Sequence, residues 1–392
     1  MTGSRNSIIT IIEHQEAMRV NSIIFFANTA IFTTWFYVPI FATDDLHLNE
    51  LDIGVLFMLH SLALFISSHF FGILSDRIGR KRFLFFGFAI SSITFGLQAG
   101  AWDFWSLLAV RIAAGFSIGI YPAALLAYVY EARKQMGKFS SFGSLGFGFG
   151  ALMGGITADL LNVRYAFLLS AGMFLISFFF VINLPAPGIE KQRVPFFPID
   201  VIKKNRMVYF SMLMRHSGAH TIWVIFPLLL RDLGATIFWI GVVNALNAFS
   251  QFFYMYYLTD KYPSRFLVTI GLLLSVLVFI LFLGAGVWWQ FLPLQLLLAA
   301  SWAFLYVGSL KFVTEQNVER ATASGMLNSI LSLSAIFGAI VGGAVAFYFS
   351  KQATIGVAII MSALGTLAWI IYELKVDWKN RGDLLKLHIS NV

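Results

Sequence analysis

The chain has 392 residues, of which 59% are hydrophobic and only 12% are charged. Soluble domains carry about 25% charged residues, so this composition predicts an integral membrane protein. The formal net charge of +8 is typical of basic cytoplasmic loops in membrane proteins and does not call for nucleic acid as a partner. The sequence contains no cysteine, which excludes disulfides and cysteine-ligated metals.

Apolar segments long enough to cross a membrane recur along the chain. A spanning helix needs about 20 apolar residues, and cutting at polar or Gly/Pro-rich stretches predicts an all-α fold with twelve spans. The first six run over residues 20–42, 52–72, 83–100, 104–130, 139–160 and 165–184. The second six run over residues 207–230, 237–258, 265–286, 289–313, 322–349 and 353–373.

Basic residues are concentrated on one side of the predicted membrane. Of the 27 Lys and Arg, the predicted outer loops hold Arg164, Arg231 and Lys351, and the spans hold Arg111 and Arg215 away from their cytoplasmic ends. The others lie in loops, tails and span ends on the opposite side, which the positive-inside rule assigns to the cytoplasm. We therefore predict a multi-pass protein of the plasma membrane with both termini in the cytoplasm.

The chain divides into two similar halves. Residues 185–206 are hydrophilic and contain four prolines, which forbid a continuous helix and predict a cytoplasmic linker. The linker separates a six-helix bundle over 1–184 from a second over 207–392. Short strings recur 188 residues apart, at 35–39 and 223–227, at 150–155 and 338–343, and at 131–137 and 319–325. Duplicated bundles of this kind, with a site between them, are a transporter architecture.

A charged loop joins the second and third predicted spans and contains Gly72, Asp76, Arg77, Gly79 and Arg80. It resembles the G-x-L-a-D-R-x-G-R signature of the major facilitator superfamily. With the twelve spans, the linker and the duplication, the resemblance extends over the whole chain and includes the twelve-helix drug–proton antiporter-like members. It implies that this loop is a latch between the halves that stabilises the outward-open state.

The charges of this loop suit such a latch. The resemblance places Asp76 at the start of the eleventh helix, and a carboxylate near a helix N-terminus gains typically about 0.3–1 kcal/mol. Arg77 or Arg80 would pair with Glu131 at the end of the fourth span. The alternative is a solvated basic loop that only marks the cytoplasmic side.

A glycine repeat in the fifth span resembles the antiporter motif of drug-efflux members. The repeat and its copy in the eleventh span comprise Gly146, Gly150, Gly154, Gly155, Gly338 and Gly342. Ala151 stands where the motif has proline, which should leave the helix straighter. The same glycines also suit a small-xxx-small packing face, so the efflux and packing interpretations both stay open.

Polar residues inside spans are rare and normally face a cavity or a partner helix, which makes them candidates for binding substrate or coupling ions. The candidates are Asn28, His60, Arg111, Arg215, His216, His220, Asn244 and Asn247. No Asp or Glu lies deep in any predicted span. The two arginines therefore predict a positive cavity that favours an anionic substrate, unless Arg111 instead reaches the nearby outer surface.

The histidines are candidate proton carriers, because imidazole titrates near neutrality. His216 matches Asn28 in the duplication, so we expect both to face the central cavity, with His220 one helical turn further on. The alternative for each is a neutral histidine with a hydrogen-bond partner. Two histidines without further ligands predict no metal site, and no motif predicts a cofactor.

Three functions remain open from the sequence. The first is a secondary transporter that moves a small amphipathic or anionic molecule by alternating access, of efflux type and with protons as an optional coupling ion. The second is uptake or exchange of an organic anion or metabolite, and the third is a non-transporting membrane sensor or scaffold. No catalytic motif predicts an enzyme. The family resemblance implies a monomer in the lipid bilayer.

Overall fold

The computed structural model describes residues 2–131, 136–185, 199–317 and 320–390. Within these residues the protein consists of α-helices joined by short turns. The helices are α1 Thr2–Trp35, α2 Val38–Asp44, α3 Glu50–Ile78, α4 Arg80–Leu97, α5 Phe104–Gly119, α6 Pro122–Glu131, α7 Met136–Leu160, α8 Val163–Ile182, α9 Ile199–Lys204, α10 Arg206–Trp223, α11 Phe226–Asp232, α12 Ile237–Tyr257, α13 Ser264–Leu283, α14 Phe291–Gln316, α15 Arg320–Tyr348 and α16 Lys351–Ser390.

The predicted helical membrane fold is confirmed, with matched breaks in the first and seventh spans. The first span breaks between α1 and α2, and the seventh breaks between α10 and α11. Pro39 and Pro227 lie in the first turn of the new helix in each case. Proline fits that turn because its missing N–H would have no partner there anyway. The two breaks therefore follow the 188-residue repeat.

By length and composition, ten helical segments in the described part of the chain are able to cross a membrane. The predicted fifth and seventh spans correspond to α7 and to the α10–α11 pair, whose sequences are richer in glycine and polar residues. Both pack among other helices, α7 against α1 and α12, and α10 against α15 and α16. Small and polar residues are what membrane helices use at such contacts.

The apolar core is continuous at one end of the bundle and divided at the other. At the predicted outer end, one cluster joins both halves and includes Phe57 and Phe226. At the predicted cytoplasmic end, a cluster around Phe88 fills the first half and a separate cluster around Trp369 fills the second. The halves are thus closed against each other at this outer end, which in the predicted orientation is an inward-facing arrangement.

Two glycine pairs bring the halves together at the closed end. A Cβ placed on Gly54 of α3 would lie 2.9 Å from the Cα of Gly343 on α15. A Cβ placed on Gly241 of α12 would lie 3.2 Å from the Cα of Gly155 on α7. Backbones approach this closely in membranes only where side chains are small. The second contact repeats the first in the other half of the duplication.

The charged segment between α3 and α4 is helical rather than a loop. Helix α3 continues to Ile78 and α4 begins at Arg80, so Gly79 alone makes the turn, with a φ of 116°. Glycine adopts this conformation without steric cost. The prediction that this charged segment is a loop is therefore wrong. Arginine and lysine are good helix formers, so both helices extend beyond the predicted membrane boundary.

Candidate functional site

Arg111 lies on α5 within the first half, and only 1% of its surface is exposed. Its Nη1 donates to Oε1 of Gln98 at 3.4 Å. Its Cζ lies over the rings of Phe57 and Trp35, at 5.0 and 5.9 Å from the ring centroids. Among the described residues, Nε and Nη2 of Arg111 have no hydrogen-bond partner. Buried polar groups are normally satisfied, so this edge of the guanidinium suits an anionic oxygen from a ligand.

His60 lies beside Arg111 on the neighbouring helix α3 and is equally buried. Its Nδ1 lies 2.9 Å from the backbone carbonyl oxygen of Arg111. A carbonyl oxygen only accepts hydrogen bonds, so Nδ1 carries the hydrogen, and Nε2 of the neutral ring is a bare acceptor. Within the described part of the chain, Nε2 is buried without a partner. Trp35 packs edge-on against the His60 ring at 5.9 Å and so contacts both polar side chains.

A cavity of about 210 Å³ lies between the halves beside His60. Its lining comprises Trp35, His60, Ser61, Leu64, Leu331, Ser332 and Ala335. Apolar and aromatic walls with a few polar groups are the usual composition of a small-molecule site. Arg111 does not line the cavity, but Trp35 contacts both the cavity and the guanidinium.

Arg215 on α10 is as buried as Arg111 but is held by its own half. Its Nε donates to Ser275 at 2.8 Å and its Nη2 donates to Ser301 at 3.2 Å. Its Cζ lies 5.3 Å from the ring centroid of Trp302 and 5.6 Å from that of Phe279. The sequence predicted the same role for both arginines, but the structure distinguishes them. Neutral partners surround Arg215, and it does not line the cavity.

His216 and His220 form a pair on α10, as their spacing predicted. Their Nε2 atoms are 3.2 Å apart, so one of the two donates and the other accepts. His216 stacks on Trp302 with the ring centroids 4.8 Å apart. Nδ1 of His216 is buried without a partner among the described residues. No cluster of three metal-ligating side chains occurs in the described ranges.

The remaining polar candidates donate hydrogen bonds to backbone carbonyls. Nδ2 of Asn28 donates to the carbonyl of Gly143 on α7 at 2.9 Å. Nδ2 of Asn244 donates to a carbonyl one turn back on its own helix at 2.8 Å. Nδ2 of Asn247 donates to the carbonyl of Gln295 on α14 at 3.2 Å. Asn28 and Asn247 therefore join two helices, Asn244 bonds within its own helix, and none of the three lines the cavity beside His60.

The predicted glycine repeat lies where helices touch. The positions at which an added Cβ would meet the backbone of α1, α10 or α12 are Gly146, Gly150, Gly154, Gly155, Gly338 and Gly342. Helix α7 runs without a break through Ala151. The packing interpretation accounts for these contacts without further assumptions.

The structure describes part of the predicted latch. Gly72 lies within α3, Gly79 makes the turn, and Nη1 of Arg80 donates to Ser75 at 3.2 Å. The structure describes the backbone but not the side chains of three latch residues, namely Asp76, Arg77 and Glu131. The latch therefore stays a prediction.

Two ion pairs join the halves at the predicted outer end. Nη1 of Arg231 on α11 lies 2.5 Å from the carboxylate of Asp44 on α2. Nζ of Lys351 lies 3.5 Å from Glu50 of the other half and 2.7 Å from Asp232 of its own half. Sequence reasoning treated these residues only as outer-loop charges. Asp44 and Asp232 are 188 residues apart, and that repeat spacing was the available signal.

Two duplicated helical halves, closed together at one end and separated by a cavity, define the class of secondary transporters. The sequence profile of the Major Facilitator Superfamily matches residues 20–215 and 207–384. The chain belongs to this family. The predicted family is thereby confirmed, and the chain is a membrane transporter rather than an enzyme.

Several characterised proteins resemble the chain in sequence. It is 29% identical over 228 residues to the multidrug resistance protein MdtG of Proteus mirabilis, a match that spans about half of each chain, 54% of this one and 56% of MdtG. It is 25% identical over 343 residues to the class C tetracycline resistance protein of Escherichia coli, covering 81% of this chain and 83% of that protein. A probable sugar efflux transporter of Helicobacter pylori is 24% identical, covering 55% and 58%.

Solved structures share the fold. The nucleoside transporter NupG superimposes with a TM-score of 0.73 at 14% identity, covering 92% of this chain and 98% of that one. A bacterial homologue of the lysosomal transporter Spinster, in an inward-facing and unoccupied conformation, superimposes with a TM-score of 0.67 at 15% identity, covering 91% and 97%. At these identities the likeness concerns the fold alone.

Proposed function

We propose that the protein is an efflux-type secondary transporter of small amphipathic organic acids. The efflux direction is supported by the resemblance to proteins named for multidrug resistance, tetracycline resistance and sugar efflux. The observation that carries the substrate class is the unpartnered, buried edge of Arg111, which contacts Trp35 of the cavity lining.

The substrate would use the two parts of the site differently. Its apolar body fits against Trp35, Leu64 and Leu331 in the cavity. Its acidic group would bind Nε and Nη2 of Arg111 once the Trp35 ring moves aside. Paired N–H···O bonds from arginine to a carboxylate are short, strong and directional. This arrangement requires no acid within the spans, and the sequence has none deep in any span.

Alternating access follows from the closed outer end. The substrate would enter from the cytoplasm into the inward-facing cavity, with the linker over 185–206 and both termini on that side. Outward opening would separate Gly54 from Gly343 and break the Asp44–Arg231 pair. The predicted latch around Gly79 would then close the cytoplasmic side. Each step takes place within one chain, so a monomer is sufficient.

A second candidate function is uptake or exchange of an organic anion. The same Arg111 edge favours it, because a bound carboxylate fits the site whichever way the transporter moves it. The His216–His220 pair is a further candidate for coupling to protons. Influx and efflux rates under matched gradients distinguish this second candidate from the first.

The proposed substrate class is tested with purified protein in liposomes. Efflux is measured against protein-free liposomes for three probes that differ in charge: p-aminohippurate as an anion, tetraphenylphosphonium as a cation and 4-aminobenzamide as a neutral molecule. We expect protein-dependent efflux of p-aminohippurate, driven by an internal excess of substrate. Transport of only the cation or only the neutral probe would overturn the organic-acid assignment. Faster influx than efflux under matched gradients would favour the second candidate.

A further inference from the structure

We propose that His60 binds one proton together with the acidic group of the substrate, so that the transporter moves the two as an electroneutral pair. The proposal rests on the organic-acid substrate proposed above. It assigns the coupling ion and names the atom that binds it, Nε2 of His60.

The first argument is the fixed orientation of the His60 ring. Its Nδ1–H donates to the backbone carbonyl of Arg111 at 2.9 Å, so Nδ1 is not available to a ligand. Nε2 is then the one ring nitrogen that accepts a proton, and it has no partner among the described residues. His60 also lines the cavity between the halves. Nε2 itself is buried, so a proton from the cavity would reach this defined binding atom when the neighbouring Trp35 ring moves aside.

The second argument concerns what surrounds the ring. Helix α5 contributes Arg111, the charged side chain that acts on His60 among the residues described here. Helix α1 contributes the uncharged ring of Trp35. Across the cavity, α15 contributes Leu331, Ser332 and Ala335, none of which titrates. Nothing in these contacts supplies a negative charge to a protonated His60.

The missing negative charge links the proton to the substrate. Protonated His60 and Arg111 would be two like charges on adjacent helices, which repel strongly away from water. A substrate carboxylate at the open edge of Arg111 removes that repulsion. Coupling between two ligands is reciprocal, so the bound acid strengthens proton binding and the proton strengthens acid binding. One positive proton and one negative carboxylate then cross together without net charge.

The third argument comes from the other half of the duplication. Asn247 on α12 takes the place of His60 and donates to the carbonyl of Gln295 on α14 at 3.2 Å. An amide makes the same structural hydrogen bond but binds no proton near neutrality. The first half therefore carries the proposed coupling group. The second half shows that asparagine fits the position that His60 occupies in the first half.

The test uses the variant His60→Asn, which copies the arrangement of the second half. Uptake of p-aminohippurate into proteoliposomes is measured under a pH gradient and, separately, under a potassium–valinomycin potential. For the wild type we expect an acidic exterior of one pH unit to support up to about tenfold accumulation, with no response to voltage. For His60→Asn we expect the pH response to vanish and a voltage response to appear. His69→Asn, an exposed histidine on the same helix, serves as the matched control.

The outcomes separate the proposal from the proposed function. Retained pH-driven accumulation in His60→Asn overturns the role of His60 while leaving the substrate class intact. If the wild type does not move p-aminohippurate at all, the proposed substrate fails. A second measurement then decides on His60 itself, namely nitrogen NMR of histidine-labelled protein in nanodiscs, with His60→Asn identifying its signal. A hydrogen on Nε2 instead of Nδ1 in the neutral ring contradicts the proposal.

Discussion

The two halves keep the same internal hydrogen-bond framework but fill it with different chemistry. Ser91 and Ser117 are 3.1 Å apart in the first half, and Ser275 and Ser301 are 2.7 Å apart in the second, each residue 184 positions from its copy. Only in the second half does an arginine, Arg215, donate to both serines. The position 188 residues before Arg215 holds an alanine.

A second matched pair shows the reverse difference. His60 and Asn247 each donate to a backbone carbonyl of a facing helix, at 2.9 and 3.2 Å. The residues that supply those carbonyls are Arg111 in the first half and Gln295 in the second, again 184 positions apart. The charged and titratable version is thus found in the first half and the neutral amide version in the second. Duplication preserved the packing, and the polar chemistry then diverged.

The largest expected effect separates the two arginines. Arg111→Gln should reduce p-aminohippurate transport by roughly 10- to 150-fold, because each lost hydrogen bond to a charged group costs about 1.5–3 kcal/mol. Arg215→Gln should instead lower stability by about 1.5–3 kcal/mol, because it loses bonds to Ser275 and Ser301 that the fold uses. The measurements are proteoliposome flux per folded molecule and thermal unfolding in detergent.

Arg111→Lys controls for folding in this comparison. Lysine keeps a positive charge but offers no paired N–H edge, so it should fold normally and still transport poorly. Equal losses of flux in the Arg111 and Arg215 variants, at unchanged stability, would remove the distinction between the halves.

The next effect tests the symmetry of the closed end. Gly54→Ala on α3 and Gly241→Ala on α12 should both hinder closure, because the added methyl would lie 2.9 and 3.2 Å from an opposing glycine Cα. Overpacking of about 1–3 kcal/mol shifts the equilibrium by about 5- to 150-fold. The shift is read from spectroscopic distances between labels on the outer ends of α2 and α11. A shift in only one variant would mean that closure is not symmetric.

Gly284→Ala is the matched control for this test. An alanine methyl there lies 3.6 Å from a carbonyl of its own helix end, an ordinary contact, so the label distances should remain those of the wild type.

The smallest effect concerns the outer ion pairs. Asp44 and Arg231 keep 47% and 35% of their side-chain surface exposed, and exposed pairs are worth about 0.2–1 kcal/mol. Asp44→Asn should therefore shift closure by no more than about fivefold, less at high salt. The double variant with exchanged charges, Asp44→Arg with Arg231→Asp, should restore the wild-type closure equilibrium. If it does not, the attraction between the two charges is not what stabilises the closed outer end.

The sequence predicted the fold well because its signals are regular. Span lengths, basic loops and repeats at 188 residues identified the helices and the family before any coordinates. The site was harder to predict from the sequence, because the third and fourth spans, α4 and α5, repeat at 184 rather than 188 residues. A single offset therefore hides the match of Arg111 with Gln295. Gln98, the partner of Arg111, carries no motif, and its role depends on a contact between helices that no local pattern records.

The hydrogen bond that orients His60 has an acceptor that mutation cannot remove. The acceptor belongs to the backbone at position 111, and every residue type there supplies the same carbonyl. If the side chain at position 111 governs substrate preference as proposed, that preference can evolve while the orientation of the imidazole is inherited unchanged. Position 111 would thus serve substrate specificity through its side chain and proton coupling through its backbone carbonyl, and mutation changes only the first.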